Sequence, residues 1–296
     1  MTFAVYLPLL LALPLALVAR WVAGRGAPGP AAWTLTITAV VAAAASTWSL
    51  TMLALTMLDD VPPLSALDDS PTLELPEPVP GPIALIAGIL LLVGGFQLLA
   101  EVRRRAVTHR ALRAVGTVQN GMVVADWTRP MAVAVPGTPG RPGHLLVTTG
   151  LLRLLDATER EVLFAHEQAH LRHRHHRLTT ATAAAAALNP LLIPVRDAVA
   201  YLVERWADEE AAAQVGDRRL TAAAVARAAL AASGPGPATA LGIDGGAVVR
   251  RVRALHQATP ARLLRRLILP ALLGTGLIAI AAVATEAFVD LARAWL

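Results

Sequence analysis

The chain has 296 residues, 55% of them hydrophobic and 16% charged, with a net charge of +5. This is a membrane-protein composition, and it argues against direct nucleic-acid binding: the 26 basic residues are all arginines clustered beside apolar runs, with no aromatic residues interleaved. The absence of cysteine excludes disulfides and thiolate metal sites, so any metal must be held by histidines and carboxylates.

Residues 2–19 are apolar and uncharged up to Arg20. No basic segment precedes them, so they read as a retained first span rather than a cleaved signal. After a linker containing Arg20, Arg25 and a Gly-Ala-Pro-Gly-Pro stretch (26–30), a second span is expected at about 31–56. Its serines and threonines are tolerated in such a helix and can face neighbouring helices. Residues 59–81 hold Asp59, Asp60, Asp68, Asp69, Glu74 and Glu77 among many prolines, which predicts an irregular acidic loop. A third apolar run, 82–100, ends in Glu101 and Arg103–Arg105, and a fourth, 267–285, follows Arg262, Arg265 and Arg266. None of the four runs contains a charge, which argues against a transporter. The arginine bias places the amino terminus, the acidic loop and the carboxyl terminus outside, and residues 101–266 in the cytosol. The expected organisation is three transmembrane helices with an extracytoplasmic loop in 1–105, a cytosolic domain in 106–262, and a fourth transmembrane helix with a short extracytoplasmic tail in 263–296.

The cytosolic region is mixed. Residues 106–117 can continue the third helix, and Met122–Asp126, Met131–Val135 and His144–Thr148 read as short strands between Pro and Gly turns. One of the last two strands can act as an edge strand that pairs with an extended substrate, or it is an ordinary sheet strand. Asp156-Ala-Thr-Glu159 is a capping-box start for a helix over 157–176. The uncharged run Leu178–Val195 is interrupted by Asn189-Pro190 and Pro194. If it crossed the bilayer, the histidines before it and the acidic helix after it would lie on opposite sides. It is therefore expected to be a buried or interfacial helix that returns the chain.

The helix over 157–176 carries His166-Glu167-Gln-Ala-His170. Residues four apart on a helix share a face, so His166 and His170 can grip one zinc ion while Glu167, about 100° round the helix, reaches the same point as a general base. A zinc site of this kind needs a third protein ligand. His176 stands at the metzincin spacing, but His173 replaces the glycine that turns the metzincin chain, so the helix is expected to continue and carry His173, His175 and His176 into a solvated basic end. The rival is Glu204, which shares a helix face with Asp208. Arg205, Tyr201 and His173 are candidates to stabilise a tetrahedral intermediate. Val248–Leu255, with Arg250, Arg251 and Arg253, reads as a basic surface near membrane lipids.

His166-Glu-x-x-His170, Asn189-Pro190 and Glu204-x-x-x-Asp208 resemble the BlaR/MecR-type membrane peptidases and, more distantly, HtpX-like and CAAX-type membrane peptidases. Ala134–Gly137 and Thr148–Leu152 are similar to the strand and turn before the zinc helix in those families. The resemblance implies a multi-pass α-helical membrane protein with a cytosolic α+β zincin-like (gluzincin) metallopeptidase domain. It implies one Zn2+ held by His166, His170 and Glu204, with Glu167 as catalytic base and Asp208 as a supporting group. Protein or peptide substrates follow, a BlaI-type transcriptional repressor among them, with the active site facing the cytoplasm. The extracellular penicillin-binding sensor of the BlaR/MecR type is not expected here. The alternatives are a non-catalytic membrane signalling adaptor that retains a zinc site, and a membrane-protein quality-control protease.

Overall fold

Three apolar helices lead the chain in the computed structural model: α1 (Leu7–Ala23), α2 (Pro28–Leu55) and α3 (Gly81–Arg113). Each has a proline in its first two positions, where the missing N–H has no intrahelical acceptor to lose. The structure describes residues 6–24, 26–56, 80–233 and 244–257, with residues 268, 271–272, 274–276 and 278–279. Residues 59–79 of the expected acidic loop, most of the expected fourth span and the tail after it lie outside the described residues. α2 and α3 are each long and apolar enough to cross a membrane. α2 is largely covered by its neighbours, whereas α3 turns a row of apolar side chains outward, with Leu92 76% and Phe96 73% exposed. α3 then runs unbroken from its apolar stretch into the basic segment ending at Arg113.

A three-stranded sheet follows: β1 (Met122–Ala125), β2 (Ala132–Val135) and β3 (His144–Thr148), in the order β1-β3-β2. β3 pairs parallel with β1 and antiparallel with β2, leaving β2 at an edge. All five residues of β3 are buried, as its central place requires. After the short α4 (Thr149–Leu154), α5 (Ala157–Arg172) starts at the expected capping box: Asp156 accepts from the Glu159 N–H at 2.9 Å, and the Glu159 carboxylate accepts from the Asp156 N–H at 3.0 Å.

The expected continuation of this helix to 176 is corrected by the structure. α5 stops at Arg172, Arg174 adopts a left-handed conformation (φ +52°), and α6 (His175–Leu188) leaves in a new direction. That conformation costs a non-glycine residue about 1–2 kcal/mol. In return the turn buries His175 and Leu178, each 1% exposed, so packing outweighs the local cost.

Asn189 and a 3-10 turn at Pro190–Leu192 reverse the chain into α7 (Ile193–Val215), which ends at Gly216 in the left-handed region (φ +78°). α8 (Arg218–Ser233) and α9 (Asp244–Leu255) complete the described elements. The run Leu178–Val195 is thus a folded-back hairpin. Leu178, Leu192, Val199 and Leu202 share one buried cluster with Leu15 of α1 and Leu35 and Ala39 of α2. At the tip, Asn189 Nδ2 donates to Ser46 Oγ at 3.0 Å, and Ser46 donates to the Pro8 carbonyl. Thr34, Thr36, Ser49 and Thr51, by contrast, bond back to their own helix. Ser46 lies about 27 Å along α2 from Pro28, so the hairpin reaches deep between the apolar helices. Gly94 makes room for it: a Cβ there would meet the Leu188 carbonyl oxygen at 3.2 Å.

Candidate metal centre

α5 and α7 pack side by side and bring two sequence segments to one point. The Nε2 atoms of His166 and His170 are 3.2 Å apart, and the Glu204 oxygens lie 3.6 Å from each. One donor atom from each of the three falls within 4.8 Å of the others, the spacing of ligands around a single ion. The donor set, two imidazoles and one carboxylate, fits zinc.

The far nitrogens of both imidazoles are also engaged. His166 Nδ1 faces Asp208 Oδ1 at 3.0 Å, and Asp208 is 1% exposed. His170 Nδ1 lies 3.1 Å from Nδ1 of His175. Two facing ring nitrogens share one proton. If His170 Nε2 is to offer a lone pair toward the cluster, its Nδ1 carries the proton and His175 accepts it. His175 is suited to this because burial, with His170 and His173 nearby, lowers its pKa to about 3 and keeps it neutral. Its ring packs on Trp206 (4.7 Å), which also stacks on His173 (4.4 Å); Gly29 of α2 leaves room for the indole, since a Cβ there would meet Trp206 Cε2 at 3.0 Å. Removing such a partner of a ligating histidine weakens metal binding by about 10–100-fold. His175→Ala is therefore expected to bind zinc in that range more weakly, while His175→Gln, which keeps an acceptor, recovers part of the loss, as measured by chelator competition.

Charges in the site balance each other. Burial disfavours protonated His166, but the hydrogen-bonding carboxylates of Asp208 and Glu204 outweigh it and raise its pKa to about 10 without metal. Withdrawal from water works against the Glu204 anion, yet His166, Arg251 and His170 hold it well below the usual carboxylate range, although 40% of its side chain is exposed to the cleft. Glu167 is shifted the other way: burial raises its pKa, Glu204 adds to this, and His166 and an Ala134 N–H bond oppose it. A carboxyl with a raised pKa beside two imidazoles has the properties of a general base.

Arg251 is the residue that sequence reasoning placed wrongly. It is not part of a lipid-facing basic surface: its guanidinium forks onto both oxygens of Asp208 at 2.7 Å and reaches Glu204 at 3.0 Å, with 14% of the side chain exposed. Arg250 and Arg253 stay exposed. The spacing carried the signal, since Arg251 shares a helix face with Val248 and with Leu255, which is 2% exposed. Arg218 fixes α9 in place, pairing with Glu209 and donating to the Ala254 and Leu255 carbonyls.

The three expected intermediate stabilisers do not line the cleft. Arg205 points to α1 and donates to the Ala23 carbonyl at 3.2 Å, Tyr201 lies under Arg250, and His173 stacks on Trp206 beside Glu210. Nor do His173, His175 and His176 form a solvated end, because the turn at Arg174 folds His175 inward. His176 lines the cleft, with Thr179, but the cluster that could hold a metal contains Glu204 in its place.

The cleft runs between α5 and β2, past Ala132 and Glu167. The Thr148 N–H to Met131 O bond sets the β2–β3 register, in which Ala132 and Ala134 turn their backbone groups away from β3. Of the two candidate edge strands, Met131–Val135 is thus the one beside Glu167, and His144–Thr148 is central. No curated protein and no solved structure matches the chain. Residues 99–233, from the end of the apolar stretch of α3 through α8, match the model of peptidase family M48, and the match supports a metallopeptidase of the M48 type.

Proposed function

We propose that this chain is a membrane-bound zinc endopeptidase that cuts protein substrates at the cytosolic face of the membrane. The observation that carries it is the convergence of His166, His170 and Glu204 beside Glu167, with an open strand edge running past them. In this reading His166, His170 and Glu204 would hold one zinc ion, and Asp208 and His175 orient the two imidazoles. A zinc ion bound there would supply Lewis acidity toward a peptide carbonyl and a water molecule. Glu167 accepts the water's proton and delivers it to the leaving amine. The backbone of Ala132 pairs with an extended substrate and sets its register against Glu167. Arg251, already bonded to Glu204 and Asp208, lines the same cleft and can stabilise negative charge that develops there.

The outward apolar face of α3, the basic residues at its carboxyl end and the arginine distribution of the whole chain support a multi-pass membrane protein with residues 101–266 in the cytosol. In that frame the tip of the α6–α7 hairpin is the exception within 101–266, because it packs among α1–α3 at the membrane while Glu204 and Asp208 stay at the cytosolic end. A BlaI-type repressor as substrate rests on the resemblance to BlaR/MecR-type peptidases alone. The adaptor alternative has less support, because a site kept only for structure has no use for a carboxylate with a raised pKa beside its ligands.

The test is digestion of an unfolded protein by the purified full chain in detergent. Cleavage is expected to stop with a chelator and return with zinc, and Glu204→Gln is expected to lose the metal while His176→Ala keeps it. Cleavage that persists in a metal-stripped sample, or zinc lost only from the His176 variant, would overturn the reading.

A further inference from the structure

A second cavity lies away from the cleft, between α3, α6 and α7, where α3 changes from apolar to basic. Its volume is about 440 Å³, within the range of roughly 300–1,000 Å³ of small-molecule sites. α3 lines it with Gln97, Glu101, Arg104 and Arg105, and α7 adds Arg196, so Glu101 is the sole carboxylate among the lining residues. That carboxylate is shared: it accepts from Arg104 Nη2 and from Arg105 Nε, each at 2.5 Å. Arg105 also donates to Thr180 Oγ1 at 3.3 Å and so ties α3 to α6. Arg196 bonds to Asp197, its neighbour in sequence, with 43% and 62% of the two side chains exposed, and an exposed pair of this kind gives way at little cost. The other end of the cavity is apolar. Ala183, Ala187 and Ala200 leave it open, exposed Ile193 stands at its rim, and Leu90 and Val93 continue the α3 face of Gln97 and Glu101 as exposed apolar side chains.

We propose that this cavity binds the headgroup of an anionic phospholipid, with the phosphate among Arg104, Arg105 and Arg196 and the acyl chains along Ile193, Val93 and Leu90. The proposal rests on the membrane reading, in which the end of the apolar stretch of α3 lies at headgroup depth. Guanidinium groups donate in forks that match phosphate oxygens, and an arriving phosphate relieves the crowding of two cations on one carboxylate. A choline headgroup would bring its own cation against these arginines. A free anion would satisfy the basic end alone and leave the apolar end without an occupant. The site also adjoins the metal-binding residues. Ala200 stands one turn before Glu204 on α7, and Thr179 lines both this cavity and the cleft, so a bound lipid would hold α6 and α7 against α3 beside the candidate metal centre.

Thermal unfolding of the full chain in neutral detergent, titrated with phosphatidylglycerol, phosphatidylcholine or inorganic phosphate, tests this. Phosphatidylglycerol alone is expected to raise the unfolding temperature of wild type with a saturating dependence on concentration. Arg104→Gln with Arg196→Gln removes two surface cations and leaves Arg105 on Glu101. Each arginine near an anionic headgroup is worth about fivefold, so the double variant is expected to bind phosphatidylglycerol about 25-fold more weakly. Ala200→Leu fills the cavity without changing a charge and is expected to weaken binding as well, which a diffuse attraction to the basic end would not show. Zinc content and unfolding without lipid report on the folding of each variant, and the wild-type comparison decides without them. Equal shifts with phosphatidylglycerol and phosphatidylcholine, an equal shift with inorganic phosphate, or phosphatidylglycerol binding unchanged in both folded variants overturns the lipid site and leaves the membrane reading standing. A chain recovered in the soluble fraction without detergent overturns both.

Discussion

Glu167→Gln is expected to keep one zinc ion per chain and to lose about 10²–10⁴-fold in proteolysis, the range that a general base contributes. The exchange is nearly isosteric, so the Ala134 N–H still finds an oxygen, and His166 and His170 keep their partners. Only the ability to take a proton is removed. Burial raises the pKa of Glu167 in the metal-free protein, and a zinc ion beside it would oppose that shift. Activity should fall on the acid side as Glu167 takes up a proton, and that limb should vanish in the Gln protein. Comparing cytosolic protein fragments in cells carrying either protein names the substrate directly. Equal fragment patterns and unchanged cellular activity would favour the adaptor.

The largest loss of stability is expected at Arg251, a residue that touches neither histidine. Asp208 is 1% exposed, and its two oxygens are both taken by Arg251. Arg251→Met leaves that carboxylate buried with only His166 beside it, and breaking a buried pair from one side costs about 3–5 kcal/mol. For a chain of this size that is a fall of roughly 10 °C in apparent unfolding temperature, since each kcal/mol shifts it about 2–4 °C. Zinc affinity should fall as well, because Glu204 loses the cation that holds it at 3.0 Å. The double variant Arg251→Met with Asp208→Asn should be less damaged in thermal unfolding than the sum of the singles, since it no longer buries a lone charge. A single variant within 1 °C of wild type would show that Arg251 does not anchor the site.

The sequence showed the parts with local grammar and missed those that depend on packing. Three strands, the capping box at Asp156 and the pairing of His166 with His170 follow from alternation, capping and helical spacing, and each stands within a residue or two of its expected place. Glu204 was one of two open ligand candidates because its approach to α5 depends on tertiary packing over more than thirty residues. The break after Arg172 was hidden because its usual marker, glycine, is absent. Burial of His175 and Leu178 supplies the free energy that a glycine would have made unnecessary, and no local pattern encodes it. Arg251 was misread because neighbouring arginines share a sign but not a helix face. The face itself, with Val248 and Leu255, was visible.

The hairpin of α6 and α7 sets the size of the smallest piece of this chain that can fold. Glu204 and Asp208 stand on the same continuous helix as Val199 and Leu202, whose apolar cover is Leu15, Leu35 and Ala39 of α1 and α2. The segment that matches the peptidase family, 99–233, contains the candidate metal-site residues His166, His170 and Glu204 but not that cover. Excised alone it would bring half of a hydrophobic core into water, together with the unpaired amide of Asn189. The family-matching segment and the folding unit therefore have different borders in this protein, and the folding unit takes in the first helix.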